Sequence, residues 1–504
     1  MHLSLNRSSL QFYFQIRSIR YYFNKYKLLR ESKNSRLIMA LIFTNWCIPK
    51  RIIIILLCIS GFIISYADRS NIAIAIVYMA KEFNWDHSIQ GYVLSAFYIG
   101  YFTTIIIGGV LADKFGGKRV LSVAAAAWTL FTLLTPISAR INIYCLILCR
   151  ICLGIGEGPT YSCIQSIISK WFPPEEQSRA VALLCVSIFI GMIVAMPISN
   201  LLGSSQFGWE SIFWVFAVIG FIWSVIWHFY GKSDPRDYPG ISKEELEWIL
   251  KNKSTVCSED NFGNYPSGSR EYITIIDHDH SENDMLLSKD QISSGPRYAQ
   301  KIPWKLIFSH REVWAILLCQ FFNAWGYFTM LSWLPIFYYE YFHVDIHLIG
   351  FYTALPYLSY VIMGSIAGYI CDYSIHQLKI RVLIVRRSAN IIASLGISMI
   401  LLSITYLAKT SVEGLLMITI GFALYSFKNS SYLVSHLDIA PRYAGAISGL
   451  VITCGMIPSI FGVALTGWIV EVTNDWNIIW RICSLCYIIG MVFYVSWSCG
   501  YYSE

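Results

Sequence analysis

The sequence predicts an all-α membrane protein whose twelve transmembrane helices form two bundles of six. Of its 504 residues, 56% are hydrophobic and only 14% are charged, a composition outside the usual range of soluble proteins. Apolar runs of about 20 residues, the length needed to cross a bilayer, recur twelve times along the chain. One long polar segment separates the first six runs from the last six.

The apolar runs set the predicted spans and domain boundaries. Each run is expected to be helical, because a helix satisfies its own backbone hydrogen bonds in lipid. The N-terminal bundle is predicted at 52–230, with spans at 52–79, 90–112, 120–139, 143–168, 180–202 and 210–230. The C-terminal bundle is predicted at 313–499, with spans at 313–337, 348–371, 388–408, 413–436, 444–469 and 477–499. The remaining segments are a basic tail or transit segment at 1–51, a partly disordered loop at 231–312 and a short tail at 500–504.

Lysine and arginine residues in the short loops predict the orientation. Ten of them lie in loops that follow even-numbered spans, against four in the loops of the opposite side. Because positively charged loops stay in the cytoplasm, both termini and the central loop are expected there.

Composition and motifs also exclude several classes of function. The net charge of +7 is not accompanied by a basic polar surface interleaved with aromatic residues, so nucleic-acid binding is not expected. The 14 cysteines lie almost entirely within apolar segments and are expected to act as small apolar side chains. No nucleophile–base arrangement, metal-ligand spacing or phosphate-binding glycine loop indicates an enzyme, a metal site or a cofactor.

Two charged residues interrupt the fourth apolar run. Arg150 and Glu157 lie seven residues apart, so both project from one helical face about 10 Å apart along the axis. An ionised side chain in mid-membrane costs at least a few kcal/mol and persists where it lines a cavity or pairs internally. The two residues indicate transport of an anion coupled to protons or cations. A permanently ionised structural pair is the alternative.

Further polar side chains in the apolar runs are candidates for substrate contact. Arg69 lies deep in the first span, where it either contacts substrate or pairs with Asp68 or another acid. Lys428 lies about two turns into the tenth span from His436 and either adds positive potential to the cavity or pairs with a neighbouring helix. Tyrosines that either donate to the substrate or pack as aromatic rings are Tyr66, Tyr161, Tyr327 and Tyr357.

The two halves of the chain repeat a loop motif. GVLADKFGGKR at 109–119 follows the second span, and a degraded copy, GYICD, follows the eighth at 368–372. Its glycines permit close helix approach, and its basic residues anchor the loop at the membrane face. The motif resembles the signature loop of the major facilitator superfamily, whose two halves rock around a central site. The residues assigned to this loop are Gly109, Asp113, Gly116, Lys118 and Arg119.

Other motifs narrow the resemblance. They are YADRSN at 66–71, GEGPTY at 156–161, SKWFPPEEQSR at 169–179, SWLP at 332–335, ALPY at 354–357 and HLDIAPRYAG at 436–445. Together they resemble the anion:cation symporter family, which includes sialin, the vesicular glutamate transporters and the plastid phosphate transporters. The resemblance implies the two-bundle, twelve-helix fold, with phosphate or organic anions driven by H⁺, Na⁺ or membrane potential.

The resemblance also implies roles for individual residues. Arg69 matches the family's first-span anion contact, and Arg150 and Glu157 match its proton-coupling pair. Asn323 stands where the glutamate carriers have an arginine, and Leu94 where they have a histidine, so phosphate or a monocarboxylate fits better than glutamate. Residues predicted to cap the tenth helix or gate the pathway are His436, Asp438 and Arg442.

The sequence therefore predicts a secondary active transporter of inorganic phosphate or a small organic anion, coupled to H⁺ or Na⁺ by alternating access. An organic carboxylate carrier for a sugar acid, a vitamin or an amino-acid anion is the alternative. A non-transporting membrane sensor is less favoured. The expected partners are the anionic substrate and the lipid of a plasma or organelle membrane, with a single chain as the functional unit.

Overall fold

The computed structural model describes residues 49–254, 304–439 and 444–498, and these ranges contain helices and turns but no strand. Helices of the N-terminal half are α1 (Lys50–Phe83), α2 (His87–Phe115), α3 (Gly117–Ile141), α4 (Ile143–Glu157), α5 (Thr160–Trp171), α6 (Pro174–Gly203), α7 (Glu210–Tyr230) and α8 (Lys243–Ser254). Helices of the C-terminal half are α9 (Trp304–Ser309), α10 (Arg311–Glu340), α11 (Ile349–His376), α12 (Val382–Leu407), α13 (Ser411–Tyr425), α14 (Tyr432–Ile439), α15 (Ala444–Thr473) and α16 (Trp476–Trp497).

The long apolar helices confirm the predicted membrane fold. Among the described residues, ten helical segments are long and apolar enough to cross a membrane, or eleven when the bent α2 is counted as one span. The seventh predicted span is α10, a helix of 30 residues. Two spans are each built from shorter pieces: α4 and α5 form Ile143–Trp171, and α13 begins Ser411–Ser435. Most of these helices extend a few residues beyond the predicted apolar runs, whereas α7 matches its predicted run and α16 ends two residues before the predicted end.

The fourth span breaks directly after Glu157. Pro159 has no N–H, so the carbonyl of Ile155 loses its usual helical donor. The Thr104 hydroxyl of α2 replaces it, donating to that carbonyl at 3.1 Å. Gly100 and Gly154 bring α2 and α4 together, since a Cβ on Gly154 would lie 2.1 Å from the carbonyl oxygen of Phe97. This close crossing fixes the helix that carries Arg150 and Glu157.

The two halves of the molecule contact each other through α2 and α15 and through α6 and α11. At mid-membrane, Tyr98 packs on Phe328 and Phe189 on Tyr360, with ring centroids 5.0 and 4.5 Å apart. At the ends of the helices opposite the 231–312 loop, the Asn200 amide donates to the carbonyl of His347 at 2.7 Å. The halves are therefore closed against each other on that face.

The signature loop forms the tight turn between α2 and α3. Gly116 adopts φ +86°, a conformation that favours glycine, and its amide donates to the carbonyl of Ala112 at 3.0 Å. The amide of Lys118 donates to the Ser233 hydroxyl at 2.8 Å, which ties the turn to the segment after α7. Most of the basic tail and of the central loop, at 1–48 and 255–303, lies outside the described residues.

Candidate substrate and coupling site

A buried ion pair joins the first and fourth spans. The Nη2 atom of Arg69 donates to Oε2 of Glu157 at 3.2 Å, and the two side chains are 3% and 0% exposed. The Ser65 hydroxyl donates to the same carboxylate oxygen at 3.1 Å. Glu157 therefore pairs with Arg69 and not with Arg150, and no ion pair between Arg69 and the adjacent Asp68 is found among the described residues.

Three aromatic rings surround the Arg69 guanidinium. Its carbon lies 4.4 Å from the ring centre of Tyr66, 4.3 Å from that of Tyr101 and 4.8 Å from that of Phe97. Rings in this position stabilise a cation through their negative faces, an effect that strengthens where water is excluded. The rings hold the guanidinium in place, and its buried Nε atom has no hydrogen-bond partner among the described residues.

Arg150 and Asp68 complete the buried charge cluster. Arg150 is 1% exposed, its guanidinium lies 5.5 Å from the Phe97 ring, and its Nε and Nη1 atoms lack partners among the described residues. Both carboxylate oxygens of Asp68 are likewise buried and unpartnered there. A small cavity touches both arginines together with Ser332 from the other half of the molecule. Two guanidinium groups and two carboxylates give the ionised cluster zero net charge.

Lys428 supplies a further cation from the C-terminal half. It lies in a 3-10 helix, Ser426–Ser430, that interrupts the tenth span. Its Nζ donates to the Tyr425 hydroxyl at 2.9 Å and lies 4.0 Å from that ring, 4.7 Å from the Tyr327 ring and 5.7 Å from the Tyr360 ring. It is partly buried, and no carboxylate of the described residues lies within salt-bridge distance of it. Tyrosine rings therefore occupy the place that an acidic partner would take.

Glu157 and Lys428 occupy corresponding places in the two halves. Each lies where the fourth span of its bundle is broken, at the end of α4 and after the end of α13. Broken helices in matching positions of two transporter halves commonly mark a central binding site, because free backbone groups are tolerated where they line a cavity. The breaks thus place an acid and a base at the centre of the two bundles.

The structure brings only some of the predicted site residues together. Tyr66 contacts Arg69, and Tyr327 contacts Lys428. Tyr161 instead packs near Phe62, and its hydroxyl accepts from Gln165 at 2.9 Å. The loop residues Lys118 and Arg119 line a separate cavity at the membrane face, with Gly116.

Several other predicted residues have no observed role at this centre. The Asn323 amide donates to the carbonyl of Cys319, one turn earlier in α10, at 2.9 Å. Gly109 lies within α2, and Asp113 is exposed near its end. His436 and Asp438 fall in α14, and Arg442 lies outside the described residues.

Sequence reasoning missed Asp68 as a member of the charge cluster, and it missed Phe97 and Tyr101 of the aromatic cage. The adjacent Asp68 and Arg69 in an apolar run were a visible signal, since two neighbouring buried charges need partners on other helices. Phe97 and Tyr101 carried no signal, because an aromatic residue in an apolar helix packs against lipid or protein equally well.

Long apolar helices in two bundles, with a buried charge cluster in the N-terminal bundle beside a cavity that the C-terminal bundle also lines, are the arrangement of a multi-pass membrane transporter. Residues 58–463 match the family described as the Major Facilitator Superfamily. The chain belongs to that superfamily, and its predicted place among the anion:cation symporters is confirmed by its relatives.

Three plant proteins are among these relatives, and each aligns with 90% of this chain. The chloroplastic ascorbate transporter of Arabidopsis thaliana is 32% identical, with 75% of its own length covered. The probable anion transporter 4 of Oryza sativa subsp. japonica, also chloroplastic, is 33% identical with 69% covered. The chloroplastic sodium-dependent phosphate transport protein 1 of Arabidopsis thaliana is 31% identical with 80% covered.

Solved structures agree in fold alone. A D-xylose–proton symporter superposes with a TM-score of 0.64 at 13% identity, covering 89% of this chain and 98% of its own. A bacterial homologue of the human lysosomal transporter Spinster, inward-facing and occupied, gives a TM-score of 0.61 at 15% identity, covering 89% and 95%.

Proposed function

We propose that this protein is a secondary active transporter that carries a small anion together with a proton. The observation that carries the proposal is the buried Arg69–Glu157 ion pair, which links an anion-binding group to a group that can take a proton. A guanidinium presents two parallel N–H donors that suit a carboxylate or a phosphate.

The substrate anion and Glu157 compete for Arg69, and this competition couples anion binding to protonation of Glu157. An arriving anion takes the guanidinium donors that Glu157 holds in the empty carrier. The Glu157 carboxylate then lies in a water-poor site without its cation, and it becomes stable there by binding a proton. When the substrate leaves, Glu157 releases the proton and returns to Arg69. Neither ligand crosses alone, because each partly liganded state leaves a buried charge unpaired.

Charge balance predicts the stoichiometry. The ionised side chains of Arg69, Arg150, Asp68 and Glu157 balance one another, so a bound monoanion adds one negative charge to whatever charge the empty site carries, Lys428 included. One proton per monoanion restores the charge of the empty carrier. Na⁺ could restore it equally, and the name of one relative, the sodium-dependent phosphate transport protein, makes this the second candidate for the driving ion.

Aromatic surfaces favour an organic anion over inorganic phosphate. Three rings surround Arg69, and tyrosine rings and hydroxyls surround Lys428, so both cations present apolar faces and hydroxyl groups together. Rings of this kind can stack on the carbon skeleton of an organic ligand, whereas phosphate has only oxygens to offer. A small hydroxylated monocarboxylate or ascorbate-like acid fits both surfaces. Phosphate is the alternative substrate, and one chain suffices because its own two bundles enclose the site.

Uptake into proteoliposomes tests these assignments together. The purified chain is assayed with labelled phosphate, ascorbate and a sugar acid, under an inward pH gradient or an inward Na⁺ gradient. We expect the pH gradient to concentrate an organic monoanion, and an imposed membrane potential to leave its initial rate unchanged because the symport moves no net charge. Accumulation that requires Na⁺, or that follows the potential, contradicts one proton per monoanion.

A further inference from the structure

A second charged cavity lies at the membrane face that carries the 231–312 loop, away from the central cluster. It has a volume of about 900 Å³, is open on one side, and is lined by the turn after α2, the first turns of α3, the ends of α5 and α7, and the segment that follows α7. The bond from the Lys118 amide to the Ser233 hydroxyl ties two of its walls together. The cavity is therefore a built feature of the N-terminal bundle.

Four basic side chains converge on this cavity, Lys118, Arg119, Lys170 and Lys232. Lys118 lies close enough to Lys232 and to Arg119 to be repelled by each of them. None of these three forms an ion pair within 4.0 Å in the described part of the chain. Converging like charges destabilise a fold, and an anion bound between them would relieve the repulsion.

The same cavity also borders the hydrocarbon. Phe115, at the end of α2, and Val123, in α3, line it, and they are 50% and 71% exposed. This apolar lining would not stabilise a water-soluble anion. A lipid can pack its acyl chains against the lining and place its headgroup against the cations. Basic pockets between transmembrane helices at this level bind anionic headgroups.

Acidic and hydroxyl groups beside the cations further restrict the chemical class of headgroup that the cavity can bind. Asp234 and Asp237 line the cavity together with Ser122 and Ser233. A carboxylate repels a phosphate but accepts hydrogen bonds from hydroxyl groups. We propose that this cavity binds an anionic phospholipid whose headgroup is a phosphorylated polyol, with phosphates on the basic residues and hydroxyls on the carboxylates.

Binding is measured on the full chain in nanodiscs of phosphatidylcholine containing a small fraction of either a phosphatidylinositol phosphate or phosphatidylserine. The bound lipid is quantified by native mass spectrometry after transfer to detergent. We expect preferential retention of the phosphatidylinositol phosphate. The double variant Lys118→Gln/Lys232→Gln should bind it about thirtyfold more weakly, since each cation near an anionic headgroup contributes separately.

A matched control removes two charges from the same face but outside the cavity, as Lys243→Gln/Lys379→Gln, and should retain the lipid. Lys118→Arg/Lys232→Arg keeps the charges and should also retain it, which separates lipid binding from failure to fold. Equal losses in the Gln variant and the control would show a general surface-charge effect and overturn the site. The lipid assignment is also overturned if phosphatidylserine is retained equally, or if inorganic phosphate alone raises the melting temperature of the chain in pure phosphatidylcholine through the same lysines.

Discussion

Glu157 bonds to Arg69 of the neighbouring α1 helix, at 3.2 Å, and not to Arg150 of its own helix. Seven residues separate Glu157 from Arg150 by about 10 Å along the axis of α4, whereas Arg69 approaches the carboxylate from the neighbouring helix. The pair therefore joins two helices of the N-terminal bundle. A substrate that takes Arg69 changes both the charge of Glu157 and the contact between those helices.

We predict that Glu157→Gln abolishes uptake driven by a pH gradient and preserves exchange of internal for external anion. Glutamine mimics the protonated carboxyl, and exchange needs no net movement of protons. Glu157→Asp should retain part of the coupling with a shifted pH optimum, because the carboxyl retreats by one methylene. Both rates are measured in proteoliposomes with the same labelled anion.

Glu312→Gln provides the control for this experiment, because Glu312 is a buried carboxylate at the start of α10, outside the central cluster. It should leave pH-driven uptake intact. If Glu157 is only structural, breaking its pair costs about 3–5 kcal/mol, and Gln should lose binding, exchange and stability together. A Gln variant that still concentrates substrate on a pH gradient would rule out Glu157 as the coupling residue.

Arg69→Lys should weaken substrate affinity by about tenfold to a hundredfold, and Arg69→Ala should abolish binding. An ammonium keeps the charge but loses the planar fork, and one lost hydrogen bond to a charged group is worth about 1.5–3 kcal/mol. The KM for uptake gives the comparison. Arg140→Lys, in the exposed ion pair with Glu82, should leave the KM unchanged. Near-normal affinity in the Arg69→Lys variant would mean that Arg69 supplies charge alone.

Lys428→Gln is expected to raise the KM about tenfold, since it removes a cation that lies over three tyrosine rings and has no acidic partner among the described residues. Lys428→Arg should restore most of the affinity if charge is what matters. The matched control is Lys409→Gln, which replaces an exposed lysine on the face opposite the 231–312 loop and should leave the KM unchanged. If Lys428 serves only to pack against the tyrosine rings, Lys428→Met should bind substrate as well as the unmodified chain.

Topology provides a fourth prediction. The ten-to-four distribution of basic residues predicts that the 231–312 loop lies in the cytoplasm. An epitope tag inserted near Gly268 should be reached by antibody only after the membrane is permeabilised, and the sequon at Asn252 should stay unglycosylated. Labelling of the tag in intact cells would show that the loop lies outside the cytoplasm and that the predicted orientation is wrong. This readout requires expression of the chain at the plasma membrane.

The membrane fold could be predicted from the sequence, because hydrophobic length and backbone hydrogen bonding leave helix as the only solution for each run. The break after Glu157 was not predicted, because 143–168 was predicted as one continuous span, although Gly158 and Pro159 carry a signal for it. Partners across helices were not readable. Which residue Glu157 meets depends on how α1 crosses α4, and that crossing is set by small residues such as Gly154 packing against another backbone. The neighbours of Lys428 could not be predicted either, because its tyrosine rings come from three helices, α10, α11 and α13.

The side chain of His87 links the two halves on the face opposite the 231–312 loop, in an arrangement called the His87 bridge below. The Nδ1 atom of His87, at the start of α2, lies 2.8 Å from Glu471 of α15, and its Nε2 lies 3.0 Å from Glu340 of α10. Only the doubly protonated ring can donate to both carboxylates at once. The other charged groups lining this cleft are Lys81 of α1, whose Nζ lies over the Tyr339 ring at 4.4 Å, and Asp86, which caps α2 through the Ile89 amide.

We therefore predict that this face opens as the pH rises. The protonated His87 bridge stabilises contact between the closed halves, and this stabilisation is lost when His87 releases its proton. His87→Gln, which cannot bridge both carboxylates as a cation, should shift the population toward the open face by about tenfold and remove the pH dependence. Opening is measured as thiol labelling of Gln90→Cys, a buried position that lines the same cleft, above the labelling of the chain without that substitution. His347→Gln, an exposed histidine on the same face, should leave the pH profile as it is. If Gln90→Cys labels with the same pH profile whether or not His87 is replaced, the bridge does not hold the halves together, and closure must depend on the α2–α15 packing instead.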